Sequence, residues 1–212
     1  MGNDPYEKTA KYYDFFVEPF TKGLRHYGAR FYTPQKGMHV LDVGFGTGNT
    51  LKMYYDEGCN VYGIDSSSAM LEEAKNKLFD KADLRLGSAN NMKFPSESFD
   101  LVTSMLSFHE MPNEIRTEVL KEMARVVKKE GRILLIDYHP GSIHPKNGWI
   151  YKIIIYFFEI AAGFEHYRNF RNFLRKNGIQ SLIKSSRLEV EKMRIIGGGN
   201  FGFYLLKRKS NN

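Results

Sequence analysis

The sequence predicts an α/β fold: a doubly wound sheet of seven strands, mostly parallel, with helices on both faces and a C-terminal antiparallel hairpin. Three observations carry that prediction. Short apolar, β-branched runs alternate with helical runs of amphipathic spacing between residues 38 and 138. The links between them are short, which demands parallel strands joined by right-handed crossovers. The last two strand-like runs are joined only by Gly197-Gly198-Gly199, a link so close that it needs an antiparallel pair.

The opening reads as two helices, KTAKYYDFFVEPF and TKGLRHYGARFY. They are divided at Glu18-Pro19, because the residue before a proline disfavours helical backbone, and closed by Thr33-Pro34. MHVLDV (38–43) is the first strand, and a helix from Thr47 to Glu57 is stopped by Gly58. NVYGID (60–65) is the second strand. The helix over Ser66–Asp80 follows, with Leu71, Ala74 and Leu78 on one face. ADLRLG (82–87) and FDLVTSML (99–106) are the third and fourth strands, and RILLIDY (132–138) is the fifth. Between the last two, Pro112–Lys129 forms a helix that starts on a proline, which is pre-set for a first turn. Helical spacing returns in FEHYRNFRNFLRKNG, ended by Asn177-Gly178, before the strands RLEVEKMRII and NFGFYLLKRK.

With 212 residues, the chain fits one domain of ordinary size. Apolar residues at 42% and charged residues at 26% exclude both a disordered tail and a multi-span membrane protein. The single cysteine, Cys59, excludes an internal disulfide framework and a thiolate zinc cluster, and points to a reducing, cytoplasmic setting. No metal-ligand set is read in the chain. MGNDPYEKTAKYYDFF has no apolar stretch like that of a secretory signal, and Tyr6 stands where acylation after Met1-Gly2 needs Ser or Thr. The net charge of +7 is unevenly spread. Residues 143–212 hold 13 Lys or Arg against 4 Asp or Glu, whereas residues 1–142 hold 18 against 20. Such a basic third is either an ordinary solvated face or a surface that gathers anions.

The chemistry centres on Val40-Leu41-Asp42-Val43-Gly44-Phe45-Gly46-Thr47-Gly48-Asn49, where a strand enters a glycine-rich turn that opens a helix. Glycine permits backbone angles closed to other residues and lets a ligand approach the main chain. The spacing is GxGxG. Asn49 stands where the dinucleotide fingerprint GxGxxG wants its last glycine, and the Lys-Ser/Thr ending of a nucleotide P-loop is absent. Asp65 ends the next strand, where a carboxylate can accept bonds from two ribose hydroxyls.

VLDVGFGTGN, GIDSSSAML and LRLGSANNMKFPSESFDLVTSMLSFHEMP, in that order, resemble the class I S-adenosylmethionine-dependent methyltransferases of the UbiE-like (methyltransferase type 11) group, which act on quinone rings, small molecules or phospholipids. The resemblance is strong over residues 36–138 and implies a Rossmann-like sheet with S-adenosyl-L-methionine as cofactor. It places Asp42, Gly44 and Gly46 against the methionine half of the cofactor, with Gly46 and Gly48 allowing close approach. It gives the ribose hydroxyls to Asp65 and the flanks of the adenine to Ser66 and Met70. Ala89 and Asn90 edge the adenine ring, and Ser104 and Met105 lie beneath the methionine portion. Ser88 departs from the pattern, which has an acid there; a hydroxyl is a weaker partner for the adenine amino group. The implied layout over 1–212 is a single domain with a helical cap (1–35), a cofactor-binding core (36–139), an apolar helical insertion (140–164), and a terminal helix and hairpin (165–212).

In an open parallel sheet, ligands gather at the carboxyl ends of the strands. Three segments converge there. Tyr12-Tyr13-Asp14-Phe15-Phe16 is either a cap over the cofactor or ordinary core packing, with Tyr13 a candidate to touch the acceptor. His109, after the fourth strand, either orients or deprotonates a nucleophile or simply bonds a main-chain group. Tyr138 and His139, after the fifth strand, carry the same two readings. Trp149–Phe164 is an apolar run of 16 residues with two charges, short of the ~20 a spanning helix needs. It reads as a buried helix, a lid over an apolar substrate, or an interfacial anchor. Arg168, Arg171 and Arg175 follow on one helical face. An apolar helix beside a basic face suits a lipid-like substrate or contact with an anionic membrane at the inner face; a recognised nucleic-acid module is absent. The alternatives are a water-soluble acceptor or a non-catalytic protein that keeps the fold.

Overall fold

The computed structural model describes residue 4, residues 6–144 and residues 147–209. Met1 and Gly2, read above for lipidation, lie outside the described residues. Among the described residues, seven strands make one sheet: β1 (His39–Val43), β2 (Asn60–Asp65), β3 (Ala82–Leu86), β4 (Phe99–Met105), β5 (Val127–Tyr138), β6 (Leu188–Ile196) and β7 (Phe201–Arg208). Their order is β3-β2-β1-β4-β5-β7-β6. The first five are parallel, and β7 runs antiparallel between β5 and β6. The tight link before β7 is possible because Gly197, Gly198 and Gly199 all take positive φ.

Among the described residues, seven α-helices cover the sheet: α1 (Ala10–Phe31), α2 (Asn49–Asp56), α3 (Ser68–Leu78), α4 (Asn113–Val126), α5 (Asn147–Ala161), α6 (Phe164–Arg175) and α7 (Gly178–Lys184). Alternate strand residues face opposite sides, so the core is double. Val40, Leu101, Leu134 and Ile136 pack against Leu24 of α1, Leu51 of α2 and Leu78 of α3. Leu41, Val43, Val102 and Leu135 pack against Val119 of α4, Phe170 of α6 and Ile183 of α7. After β3 the chain crosses to the other side of β1, so a crevice opens at the carboxyl ends of β1 and β4.

The structure corrects the sequence reading at three places. α1 runs unbroken through Pro19, because Phe15, Pro19 and Phe20 sit on its exposed side, where the carbonyl that proline leaves unbonded costs least. α4 ends at Val126, and Val127 already pairs with Phe99 across a bulge, so β5 starts five residues earlier than its apolar run suggests. α7 was not anticipated. Asn177, at φ 67°, ends α6 as expected but also starts a new helix that buries Ile179 and Ile183.

Candidate active site

The glycine turn sits at the crevice. Gly44, Gly46 and Gly48 all have positive φ, but their surroundings differ. A Cβ on Gly44 would collide with the Ser107 side chain, and one on Gly48 would press on Ala74 of α3 at 3.1 Å. A Cβ on Gly46 would meet nothing within 4 Å. Gly46 therefore presents bare backbone to open space, whereas Gly48 lets α2 pack close to α3. Asp65 holds the turn in shape. Its Oδ2 accepts the Gly46 N–H at 2.8 Å and its Oδ1 accepts the Ser67 N–H at 2.9 Å. Burial raises the Asp65 pKa, and these N–H bonds offset that only in part.

The N-terminal segment closes over this turn. Asp14 of α1 accepts from Thr47 Oγ1 at 2.5 Å and Asn49 Nδ2 at 2.9 Å, and pairs with Lys77 of α3 at 2.7 Å. Asp4 accepts from the Ser67 and Ser68 hydroxyls and from the Ala69 N–H, which places an acid at the start of α3. Tyr6 donates to Glu110 Oε2 at 2.7 Å, and its ring meets Tyr13 edge-on with centroids 6.0 Å apart. The cap reading of this segment thus has specific polar anchors, and Tyr13 lies half-buried beneath it.

Asp42 is 2% exposed, and burial pushes its pKa to about 7 against the pull of Arg25. Ser66 is exposed beside Asp65, and Met70 is buried without belonging to either apolar cluster. Ser88 donates to Asn90 Oδ1 at 2.6 Å, and Asn90 donates to Glu118 at 3.2 Å, so these side chains hold each other; Ala89 packs on the core. Ser104 donates to the Val43 carbonyl at 2.8 Å and locks β4 to β1, while Met105 stays half-buried at the strand end.

His109 lies at the centre of a buried ionic cluster. Its Nδ1 is 2.8 Å from Asp137 Oδ1, and its Nε2 is 3.4 Å from Glu159 Oε1 and 3.9 Å from Glu110 Oε1. Tyr138 donates to Glu159 Oε1 at 3.0 Å and packs against the His109 ring. His166 Nε2 stands 2.9 Å from Glu159 Oε2. Burial alone would lower the His109 pKa, but Asp137 and Glu159 hold it well above the ordinary imidazole value. Burial likewise works against ionisation of Glu159, yet His109 and His166 keep its pKa at about 2. The carboxylates of Asp137 and Glu159 on either side thus favour a proton on His109. His139 stands apart from this cluster, with Nδ1 3.0 Å from the Tyr204 hydroxyl.

Glu159, His166, Asp137 and Glu110 were not singled out from the sequence. Glu159 counted there only as one of two charges interrupting an apolar run, although a lone acid four residues after Ile155 marks a polar position on the helix's inner face. Arg116 was also missed. Fully buried, it donates to the carbonyls of Phe108, His109 and Asn169, ties the loop after β4 to α6, and has its pKa lowered to about 10 by burial. Among the described residues, three buried side-chain atoms lack a hydrogen bond: Arg25 Nε, Asp42 Oδ1 and Glu159 Oε2, the last lying 2.9 Å from His166 Nε2 without hydrogen-bond geometry. Each belongs to the crevice or to a helix covering it, and such orphans in a folded protein call for a ligand or bound solvent.

The family described as a methyltransferase domain matches residues 41–135. The demethylmenaquinone methyltransferase of Thermotoga maritima is 31% identical over 71% of this chain and 70% of its own length. A phosphatidylethanolamine N-methyltransferase of Cereibacter sphaeroides is 28% identical over 93% of both chains. The match to an uncharacterised methyltransferase of Geobacillus sp. (strain WCH70), at 30% identity, covers 62% of this chain and 65% of that relative's length. Among solved structures, an S-adenosylmethionine-dependent methyltransferase of Aquifex aeolicus superposes with a TM-score of 0.62 at 21% identity, covering 97% of this chain and 99% of its own.

Proposed function

This chain belongs to the class I S-adenosylmethionine-dependent methyltransferases, and from that premise we propose that it moves a methyl group to an acceptor with an apolar body, a phospholipid amine or a quinone-like ring. The residues at the crevice fit the cofactor. Gly46 offers bare backbone, Asp65 stands at the end of β2 with lone pairs left for ribose hydroxyls, and Met70 is buried beside the start of α3. Arg25 Nε and Asp42 Oδ1 are buried and unpartnered, a guanidinium donor and a carboxyl acceptor, which suits the carboxylate and ammonium of an amino-acid end. Bound there, S-adenosylmethionine supplies an electrophilic methyl group on a cationic sulfur. Ser66, Ala89 and Asn90 would edge the adenine, with Ser88 fixing Asn90; Ser104 and Met105 would form the floor.

The chain's own part is positioning and exclusion of water, which together account for up to ~7–11 kcal/mol of a barrier when the geometry is right. Asp14 and Asp4 would hold the N-terminal cap shut over the turn. Tyr13, Tyr6 and Glu110 would face the acceptor, and the His109–Glu159–Tyr138 cluster would form the wall behind it.

One observation carries the choice of acceptor: α5 is turned inside out. Its acid, Glu159, is 4% exposed, whereas Trp149, Ile150, Ile153, Phe157 and Ile160 are each more than half exposed. Tyr12, Phe15, Phe16 and Phe20 of α1 are exposed as well, and Phe20 meets Phe158 of α5 with ring centroids 5.3 Å apart. Exposed aromatic and aliphatic side chains on two touching helices above a substrate crevice suit entry of a lipid-like acceptor from a bilayer surface. Arg168, Arg171 and Arg175 of α6 all face solvent, where anionic lipid would meet them. No helix among the described residues is long and apolar enough to cross a membrane, so the contact proposed is peripheral, at the cytoplasmic face. The distant relatives acting on a quinone precursor and on phosphatidylethanolamine support the same acceptor chemistry.

Calorimetry with S-adenosylmethionine and S-adenosylhomocysteine, paired with flotation on vesicles containing anionic lipid, tests both halves. Binding of either ligand together with flotation at low salt is expected. Absence of heat with both ligands would overturn methyl transfer in favour of a non-catalytic role. Normal binding without flotation would move the acceptor to a water-soluble metabolite.

A further inference from the structure

The side chains of His109, Glu159 and His166 come from the loop after β4, from α5 and from α6, and their ligand-capable atoms lie within 4.8 Å of one another. We propose that they form a binding site for a first-row divalent cation such as Zn²⁺, with two imidazoles and one carboxylate as ligands. The imidazoles flank the carboxylate. His109 Nε2 is 3.4 Å from Glu159 Oε1, near the about 3.3 Å between ligand atoms of a tetrahedral ion with bonds near 2.0 Å, and His166 Nε2 is 2.9 Å from the other oxygen, Oε2. Two nitrogens and a carboxylate oxygen are a borderline donor set, which favours zinc, cobalt or iron over magnesium or calcium.

A second observation points to the same ligand. Glu159 is buried, the Tyr138 hydroxyl donates to its Oε1, and its Oε2 lies 2.9 Å from His166 Nε2 without a hydrogen bond of sound geometry. One oxygen is thus oriented by Tyr138, and the other faces the second imidazole. The surroundings are those of a supported metal site. Asp137 accepts from His109 Nδ1, which leaves Nε2 directed at Glu159, and Asp137 is itself fixed by the Phe108 and Tyr138 N–H groups. Glu110 Oε1, 3.9 Å from His109 Nε2, stands next to the set. Three protein ligands leave a coordination position for an acceptor oxygen such as a phosphate or a phenolate. His166, with 17% of its side chain exposed against 3% and 5% for its partners, marks the side of entry.

The ion site itself does not depend on the methyl-transfer reading, although it would border the acceptor side proposed there, and its test uses no turnover. The full, untagged chain is stripped with chelator and titrated with Zn²⁺ and, separately, with Co²⁺. One ion per chain is expected, with visible Co²⁺ bands of a four- or five-coordinate nitrogen–oxygen site. Glu159→Gln and His166→Ala should each weaken binding at least tenfold while circular dichroism shows the chain still folded. Either of two results overturns the proposal: no stoichiometric binding of any first-row divalent ion by the folded protein, or stoichiometric binding that both variants leave unchanged. A variant that fails to fold is replaced by Glu159→Asp, for which shifted Co²⁺ bands support the site and an unaltered spectrum counts against it.

Discussion

Asp14 on α1 and Lys77 on α3 meet at 2.7 Å across the glycine turn, 63 residues apart in the chain. The same carboxylate accepts from Thr47 and Asn49 within the turn, and Lys77 also donates to Asn49. A helix from outside the core is therefore fastened to the element that would hold the cofactor. The fastening grips Thr47 and Asn49, next to Gly46, so cap closure and binding at Gly46 are expected to be linked.

Asp14→Ala should loosen the cap without unfolding the sheet. The pair with Lys77 is partly exposed, so the stability lost is small, about 1 kcal/mol or less. Amide hydrogen exchange over residues 10–18 should rise, and S-adenosylhomocysteine should bind several-fold more weakly. Unchanged exchange together with unchanged affinity would show that the cap is held elsewhere.

Asp65 serves the turn and the proposed ribose contact at once, so two variants are needed. Asp65→Ala removes the acceptor for the Gly46 and Ser67 N–H groups and should weaken cofactor binding by about 1–3 kcal/mol. Asp65→Asn keeps one acceptor oxygen and should fall between the two. Equal calorimetric affinity of all three proteins would remove Asp65 from the ribose.

Arg116→Met tests the joint between the loop after β4 and α6. The substitution leaves the Phe108, His109 and Asn169 carbonyls without a donor in a dry setting, and should cost about 3–5 kcal/mol in urea unfolding. A loss below about 1 kcal/mol would show that solvent reaches those carbonyls.

The sheet was legible because its signals are local. Val40, Leu41 and Val43 announce a buried strand by composition, and the Gly44–Gly48 turn announces a ligand end by spacing. The cap was legible only as the Tyr12–Phe16 segment, since nothing in the sequence says that Asp14 reaches Lys77. The His109 cluster was harder still. Its members span positions 109 to 166 on separate elements, and only packing of α5 and α6 over β5 brings them together. Arg116 reads as one more charge on an amphipathic helix, and its burial depends on carbonyls supplied by a loop and by α6. Pro19 misled for the opposite reason: a strong local signal was overridden by a helix face already committed to the core.

Replacing Ile153 and Phe157 together by Asp should abolish flotation on anionic vesicles. Both side chains are more than two-thirds exposed, so stability should stay within about 0.5 kcal/mol of the parent. Cofactor affinity should be unchanged, because neither residue faces the crevice. Retained flotation would shift attention from α5 to the basic face of α6.

Asp42 makes a prediction about pH. Its folded pKa of about 7 lies above the ~3.9 of an unfolded aspartate, so the folded chain holds a proton that the unfolded chain releases. Below about pH 4 both states are protonated and the group is neutral in its effect. From there to pH 7 the unfolded state binds fewer protons, so stability falls as pH rises, by about 4 kcal/mol over the window, and then levels off. Other groups titrate in the same range, which makes a difference measurement necessary. Asp42→Asn has no proton to hold, so the stability gap between variant and parent should widen by about 2–3 kcal/mol in the variant's favour between pH 5 and pH 8 in urea melts. A gap that stays constant would mean that Asp42 is already ionised in the folded protein, with Arg25 outweighing burial.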